Sequence, residues 1–481
     1  MESRSAAVLG RVTTKIQHYF FARFSFTPVV IARIVTGLCL FFFALQTWPY
    51  SAALYSLNGL AQGSLPFWGG VSGFEANLLV AAQLLFSLMV VVGLWTRISL
   101  VFLLIVQSAL IELNFFAFWG WFHVTRHFLV FLFLADAGAK TSLDVLWFHK
   151  PARNDVGAWV YRLFQWQVSL VYLVAVVGRI GSSDWYSGNA LGLALEDGVF
   201  SRLAFFPWLN YAPLLRPASY IGIFLEIGGG LLLFLNFSKK LRYLLIPGLL
   251  LFHLTLEVTT VVQYWQFIMA AGLLFYLPEI WRIPNLPNSP LSHRQAAVSL
   301  TLALGLAAVF INAWPVDLLP SSLKPLGQAL KAPMAAWQLD ATRKTNVFSS
   351  TRQRGRSCIF SAGLTMDGKL TRLYDPHDYC ENKHYRFFHD ELFTTVAKMS
   401  WRKSFSSLGA WLCRSAPSDP LRFVVHFERT QSLFLSNNQI TRVPILEEAF
   451  TFNCKSQTWS DGISPWILSL IKDKYPYAIP F

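Results

Sequence analysis

Charge is scarce in this chain. Asp, Glu, Lys and Arg make up 14% of its 481 residues, whereas an ordinary soluble domain carries about 25%. A soluble globule is therefore excluded as the whole molecule. Hydrophobic residues fill the deficit at 54%, with 42 Phe and 18 Trp, and the mean hydropathy is +0.43. Acidic residues are scarcest, 26 against 40 Lys and Arg, for a net charge of +14. Such an excess could serve nucleic acid. In so apolar a chain it fits instead a multi-pass membrane protein whose cytoplasmic loops collect Lys and Arg, and no nucleic-acid partner is expected.

Other absences are local. Segments 49–75, 112–121 and 261–263 contain no Lys or Arg. Basic residues gather elsewhere: Arg4, Arg11, Lys15 and Arg23; Arg97; Lys140, Lys150, Arg153 and Arg162; Lys239, Lys240 and Arg242; Arg282 and Arg294. Nine apolar runs separate these groups, at about 27–47, 76–95, 97–117, 122–137, 158–180, 214–236, 242–262, 264–281 and 295–314. A straight span needs about 20 residues, so the fourth and eighth are short and call for tilt or interior packing. The alternation of basic and neutral loops places the N-terminus in the cytoplasm and the chain beyond the ninth span outside, as in a bacterial inner-membrane protein. The polar, basic start is too long for the n-region of a cleavable signal, so 27–48 reads as a retained signal anchor. Arg179, Arg202 and Arg216 fall on the outer side against this bias, which marks them as site candidates.

The expected fold is an all-α polytopic bundle of about nine spans at 27–314, behind a basic cytoplasmic head at 1–26. Residues 315–481 are polar enough to fold in water and form an exported α+β or β-rich domain. "RSCIFSAGLTMDGKLTRLYD" alternates on both sides of Asp367-Gly368, a hairpin signal. "LRFVVHFERTQSLFL" reads as a strand and "ELFTTVAKMSWRKSFSSLGAWLC" as a helix. Four of the five cysteines lie here, Cys358, Cys380, Cys413 and Cys454. Two disulfides are expected, with the three pairings left open. With no CxxC in the sequence, a redox or zinc motif is not expected.

Ionisable residues inside spans are costly and usually face a cavity or a partner. Arg33 lies in the first span; His123, Arg126 and His127 open the fourth, and Asp136 closes it. Arg179 closes the fifth, Glu226 precedes three glycines, and His253 and Glu257 stand at i and i+4 of the seventh. Arg126, Asp136 and Arg179 are near enough to span ends to snorkel, and Arg33 to pair with Glu226 or Glu257. His253 could take Glu257 as an orienting carboxylate. Trp119, Trp121, Trp166, Trp185, Trp208 and Trp265 read first as interfacial belt residues.

"IARIVTG" (31–37), "ADAGAKTSLD" (135–144), "LVYLVAVVGRIGSSDWYSGNAL" (170–191), "LEIGGGLLLFL" (225–235), "LFHLTLE" (251–257) and "LLFYLPEIW" (273–281) together resemble the horizontally transferred transmembrane domain family. That family includes the vitamin K-dependent γ-glutamyl carboxylases. The resemblance extends more weakly to 337–348 and 400–414. In the carboxylases a lysine just before the Asp-Trp element is the base toward reduced vitamin K. Here the matching position is Arg179, and no lysine lies between Lys150 and Lys239. Guanidinium stays protonated and is a poor base, so the vitamin K reaction does not carry over with the fold.

The resemblance implies His253 as a catalytic histidine and His123 or His127 as the family's second, with Glu257 as a further catalytic candidate. Arg33, Arg179, Asp184, Trp185 and Glu226 are candidates for binding substrate, and no metal is expected. The cofactor is open, a quinol by resemblance alone. Two functions compete: an enzyme that modifies or matures a secreted peptide or binds a quinol or lipid headgroup, and a non-catalytic chaperone or immunity-type partner of an exported polypeptide. A transporter is disfavoured because no repeat of broken helices is evident.

Overall fold

The computed structural model describes most of residues 19–281, the main exception being 197–211, and beyond them chiefly 356–374, 420–436, 439–461 and 464–474. The chain enters through strand β1 (Arg23–Ser25) and helix α1 (Thr27–Thr47), then a short α2 (Ser51–Tyr55). Helices α3 (Gly73–Val92), α4 (Thr96–Leu113) and α5 (Gly120–Leu134) follow, then a short α6 (Leu143–Trp147) and strand β2 (Asp155–Gly157). Next come α7 (Ala158–Arg179), the short α8 (Ser183–Tyr186) and α9 (Ala190–Glu196), α10 (Ala212–Ile227) with a π turn at Gly228–Leu232, α11 (Lys239–Thr259) and α12 (Trp265–Leu273). The first eight expected spans each fall on one of these helices; the ninth, at 295–314, lies outside the described residues.

Four segments are long and apolar enough to cross a bilayer: Thr27–Tyr55, Gly73–Val92, Thr96–Leu113 and Lys239–Thr259. Their outer faces carry bare apolar side chains such as Leu78, Leu85, Ile105, Leu244 and Leu251. Such a surface suits lipid and not water, so the chain is an integral membrane protein.

Local chemistry sets the helix ends. Ser72 and Glu75 form a reciprocal capping box at the start of α3, and Gly93, at φ +71°, ends it in the left-handed region. Ser238 caps α11 by accepting from the Leu241 amide at 3.1 Å. Strands β1 and β2 pair antiparallel, closed by Arg23 and Asp155 at 2.9 Å. This ribbon marks one end of the bundle. Helices α1, α4, α7 and α11 run away from it, and α3, α5, α10 and α12 run back.

Arg33 is buried in α1 and corrects its expected role. Its guanidinium donates to the carbonyls of Ala137 at 2.9 Å and Thr141 at 2.6 Å, not to Glu226 or Glu257. It pins the "ADAGAKT" turn against α1. Beside it the Asp144 carboxylate accepts from the amides of Trp95 and Thr96 at 2.6 and 2.8 Å and from the Thr96 hydroxyl at 2.7 Å, capping α4. Orphan amides at a helix start need such an acceptor. Two of the motifs that carried the family resemblance therefore meet in one polar knot at the ribbon end.

In the C-terminal part, β3 (Arg356–Thr365), β4 (Leu370–Tyr374), β5 (Leu421–Ser436), β6 (Gln439–Asn453) and β7 (Thr458–Asp461) form an antiparallel sheet in the order β4-β3-β5-β6-β7, followed by α13 (Pro465–Lys474). The β3–β4 turn falls at Asp367-Gly368 as expected, with Gly368 at φ +82°. Cys413 and Cys454 are joined in a disulfide, and Arg414 donates to the Asn58 carbonyl beyond α2. Cys380 lies outside the described residues, and so does most of the expected helix ending at Cys413; of Cys358 only the strand backbone is described.

Candidate functional site

Residues 169–179 of α7 face the π turn after α10. Gly229 and Gly230 have no side chain there because a Cβ would sit 2.7 Å from the Tyr172 ring and 2.8 Å from Leu173. Ser169 donates to the Gly229 carbonyl at 3.3 Å. This close contact forms a floor. Above it, toward the end away from the ribbon, α7, α9, α10, α11 and the start of α12 diverge around a cavity of about 650 Å³. The volume falls within the size of ordinary small-molecule sites.

The cavity wall is mostly apolar, with polar groups at two places. At the first, Arg179 and Glu226 form an ion pair, both more than nine-tenths buried. The Arg179 guanidinium carbon lies 4.1 Å from the centre of the Trp185 ring, a cation–π stack. At the second, the Tyr172 hydroxyl meets His253 Nε2 at 2.7 Å and Gln266 Oε1 meets His253 Nδ1. All five side chains, with Gln266, line the one cavity. Ser219 ties the α8–α9 turn to α10 through the Gly188 carbonyl at 3.0 Å.

One side of the cavity is open. Leu214, Ile221 and Leu251 line it yet are each more than half exposed on the outer surface. They belong to α10 and α11, so the mouth lies between these helices and faces the lipid side of the bundle.

The sequence-derived candidates separate here. Arg179, Trp185, Glu226 and His253 come together. Arg33 does not; it serves the ribbon-end turn. His123 is buried in α5 away from the cavity lining, and Glu257 on α11 is half-buried and also off it. The electrostatic neighbours of Glu257 include Cys39 and Tyr264. Gln266, not Glu257, orients His253, because α12 packs across α11 at that level. Asp184 lies in α8, with only its backbone described.

Snorkelling is overturned for Arg179 and for Arg126, which is fully buried and donates to the Ser108 hydroxyl at 2.9 Å. Asp136 pairs with Arg97 at 3.1 Å near the ribbon end. The belt assignment fails for Trp185, stacked under Arg179, and for Trp121, which is fully buried and donates to Gln263 at 2.6 Å. Tyr172 and Gln266 were not singled out in the sequence. Their one signal was a polar side chain in an apolar run.

Among the described residues no cluster of His, Cys, Asp and Glu is built to hold a metal. A family model described as the HTTM domain matches residues 22–281, a little over half of the chain. That span contains every cavity residue. No solved structure matches the chain.

Proposed function

The chain belongs to the HTTM domain family, and we propose that its cavity binds a membrane-borne amphiphile, a quinol or a lipid headgroup with an apolar tail. The observation that carries this is the buried Arg179–Glu226 pair set in a mostly apolar wall that opens sideways. A charged pair is expensive to keep out of water, and a polar end to an apolar pocket is what an amphiphile requires. The tail would enter between α10 and α11, and the head would rest against Arg179, Trp185 and Tyr172.

In this reading the cavity opens toward the outer leaflet, the ribbon end lies in the cytoplasm and the C-terminal sheet is exported, since the basic loops cluster at the ribbon end. His253 serves as acid or base through its cavity neighbours, and the reaction modifies or matures a secreted peptide. Arg179 binds and does not deprotonate, because guanidinium stays charged.

The test is extraction of co-purified small molecules from membranes of the wild type and of the Arg179→Ala and His253→Ala forms, with mass analysis of co-expressed exported peptides. A bound amphiphile that is lost in Arg179→Ala supports the reading. Identical ligand content and identical peptide masses in all three overturn it. Arginine in place of the family's lysine favours the second reading, a non-catalytic partner of an exported polypeptide. That reading expects a cross-link between the C-terminal region and the peptide, with no mass change in either.

A further inference from the structure

Tyr172, His253 and Gln266 are each at least 95% buried and hydrogen-bonded in series. Gln266 presents Oε1, an acceptor only, to His253 Nδ1. That nitrogen therefore carries the ring hydrogen, and Nε2 keeps a lone pair. Tyr172 must then be the donor across the 2.7 Å contact. Its phenolic oxygen retains acceptor capacity at the cavity wall. His253 also lines the cavity, and the Tyr172 hydroxyl occupies its Nε2.

Arg179 stands seven residues along the same helix, on the same face and about 10 Å farther along the axis. Its guanidinium pairs with Glu226, about one turn before the Gly229 that packs on the Tyr172 ring. Its Nε has no hydrogen-bond partner among the described residues. The cavity wall thus holds an acceptor backed by a base and, farther along α7, a cation.

We infer that Tyr172, His253 and Gln266 form a proton relay acting on a hydroxyl of the molecule bound in the cavity, with Arg179 holding the oxyanion produced. The inference rests on the proposed ligand site. The ligand O–H donates to the Tyr172 oxygen. Its proton moves there as the Tyr172 proton passes to His253 Nε2. The products are a ligand oxyanion and an imidazolium whose Nδ1–H stays on Gln266 Oε1. No electrons leave either partner, and charge is conserved. Tyr172 and His253 carry the proton, and Arg179 stabilises the charge that develops. Gln266 is a positioning residue, since it acts through His253, whose tautomer it fixes. The relay supplies a base at a site where, among the described residues, the only lining cation is an arginine that cannot act as one.

The experiment uses the full-length protein in lipid nanodiscs and a long-chain 4-nitrophenol, whose phenolate absorbs visible light. Binding is read from quenching of tryptophan fluorescence, and ionisation from absorbance against pH. The bound probe is expected to ionise more readily than in empty nanodiscs. Tyr172→Phe and His253→Gln, each close in shape to the original, lower its ionisation constant by about tenfold, a shift of about one pH unit. Gln266→Met moves it the same way. Gln266→Glu moves it the opposite way, because a carboxylate beside Nδ1–H favours the imidazolium. A loss of packing alone would not reverse sign between two substitutions at one position.

If the probe binds with the same ionisation in wild type, Tyr172→Phe and His253→Gln, the relay is overturned and the ligand site stands. If the probe fails to bind wild type, the ligand site fails and the relay with it. Should either single variant not fold, the opposed signs of the two Gln266 variants decide the question.

Discussion

Arg179 and Glu226 neutralise each other in an apolar wall. Removing one partner leaves a buried charge alone, which costs about 3–5 kcal/mol, whereas replacing both with apolar groups of similar volume is often neutral. Glu226→Gln is therefore expected to lower the thermal midpoint of the purified protein clearly, and Arg179→Met with Glu226→Met to regain most of the loss. A double variant no more stable than Glu226→Gln would show that the pair does not act as a unit. The sequence made these residues legible one at a time, as charges inside apolar runs. It could not assign partners. Which span end meets which depends on depth in the bundle, and Arg33 shows the consequence: its guanidinium donates to three turn carbonyls that no pattern of charges reveals.

At the scale of elements, the floor of the cavity depends on a missing side chain. Gly229 lets the π turn lie against the Tyr172 ring, and that ring is held by His253. Gly229→Ala forces one of them to move. Overpacking of this kind costs about 1–3 kcal/mol, and here it also displaces the Tyr172 hydroxyl. Lower thermal stability together with loss of the bound amphiphile is the expected outcome, measured by melting and by extraction. Wild-type stability would mean that the turn can shift away from α7. Helix positions were well legible, because apolar runs of about 20 residues bounded by basic loops have few alternatives. The hairpin at Asp367-Gly368 was legible for a similar reason: alternation on both sides of a turn dipeptide. The way α12 crosses α11 to bring Gln266 onto His253 was not, since a few polar side chains in mostly apolar runs do not say which of them meet.

For the whole molecule, the arrangement proposed across the membrane predicts a labelling pattern. Tyr186 is exposed at the cavity end and Lys150 at the ribbon end. In sealed right-side-out vesicles a membrane-impermeant maleimide should label Tyr186→Cys and spare Lys150→Cys; the reverse pattern would invert the protein. The Cys413–Cys454 bond spans 41 residues, and a loop of this size contributes about 2–4 kcal/mol. Cys413→Ser should therefore hasten proteolysis of the C-terminal sheet, read as fragment accumulation on a gel. The side mouth between α10 and α11 has a separate consequence. A molecule that arrives through it is counted as a mole fraction of the bilayer, not as moles per litre of buffer. Apparent affinity will then track how much lipid or detergent dilutes the compound, and two laboratories using the same aqueous dose in different micelles would measure different occupancies of the same pocket.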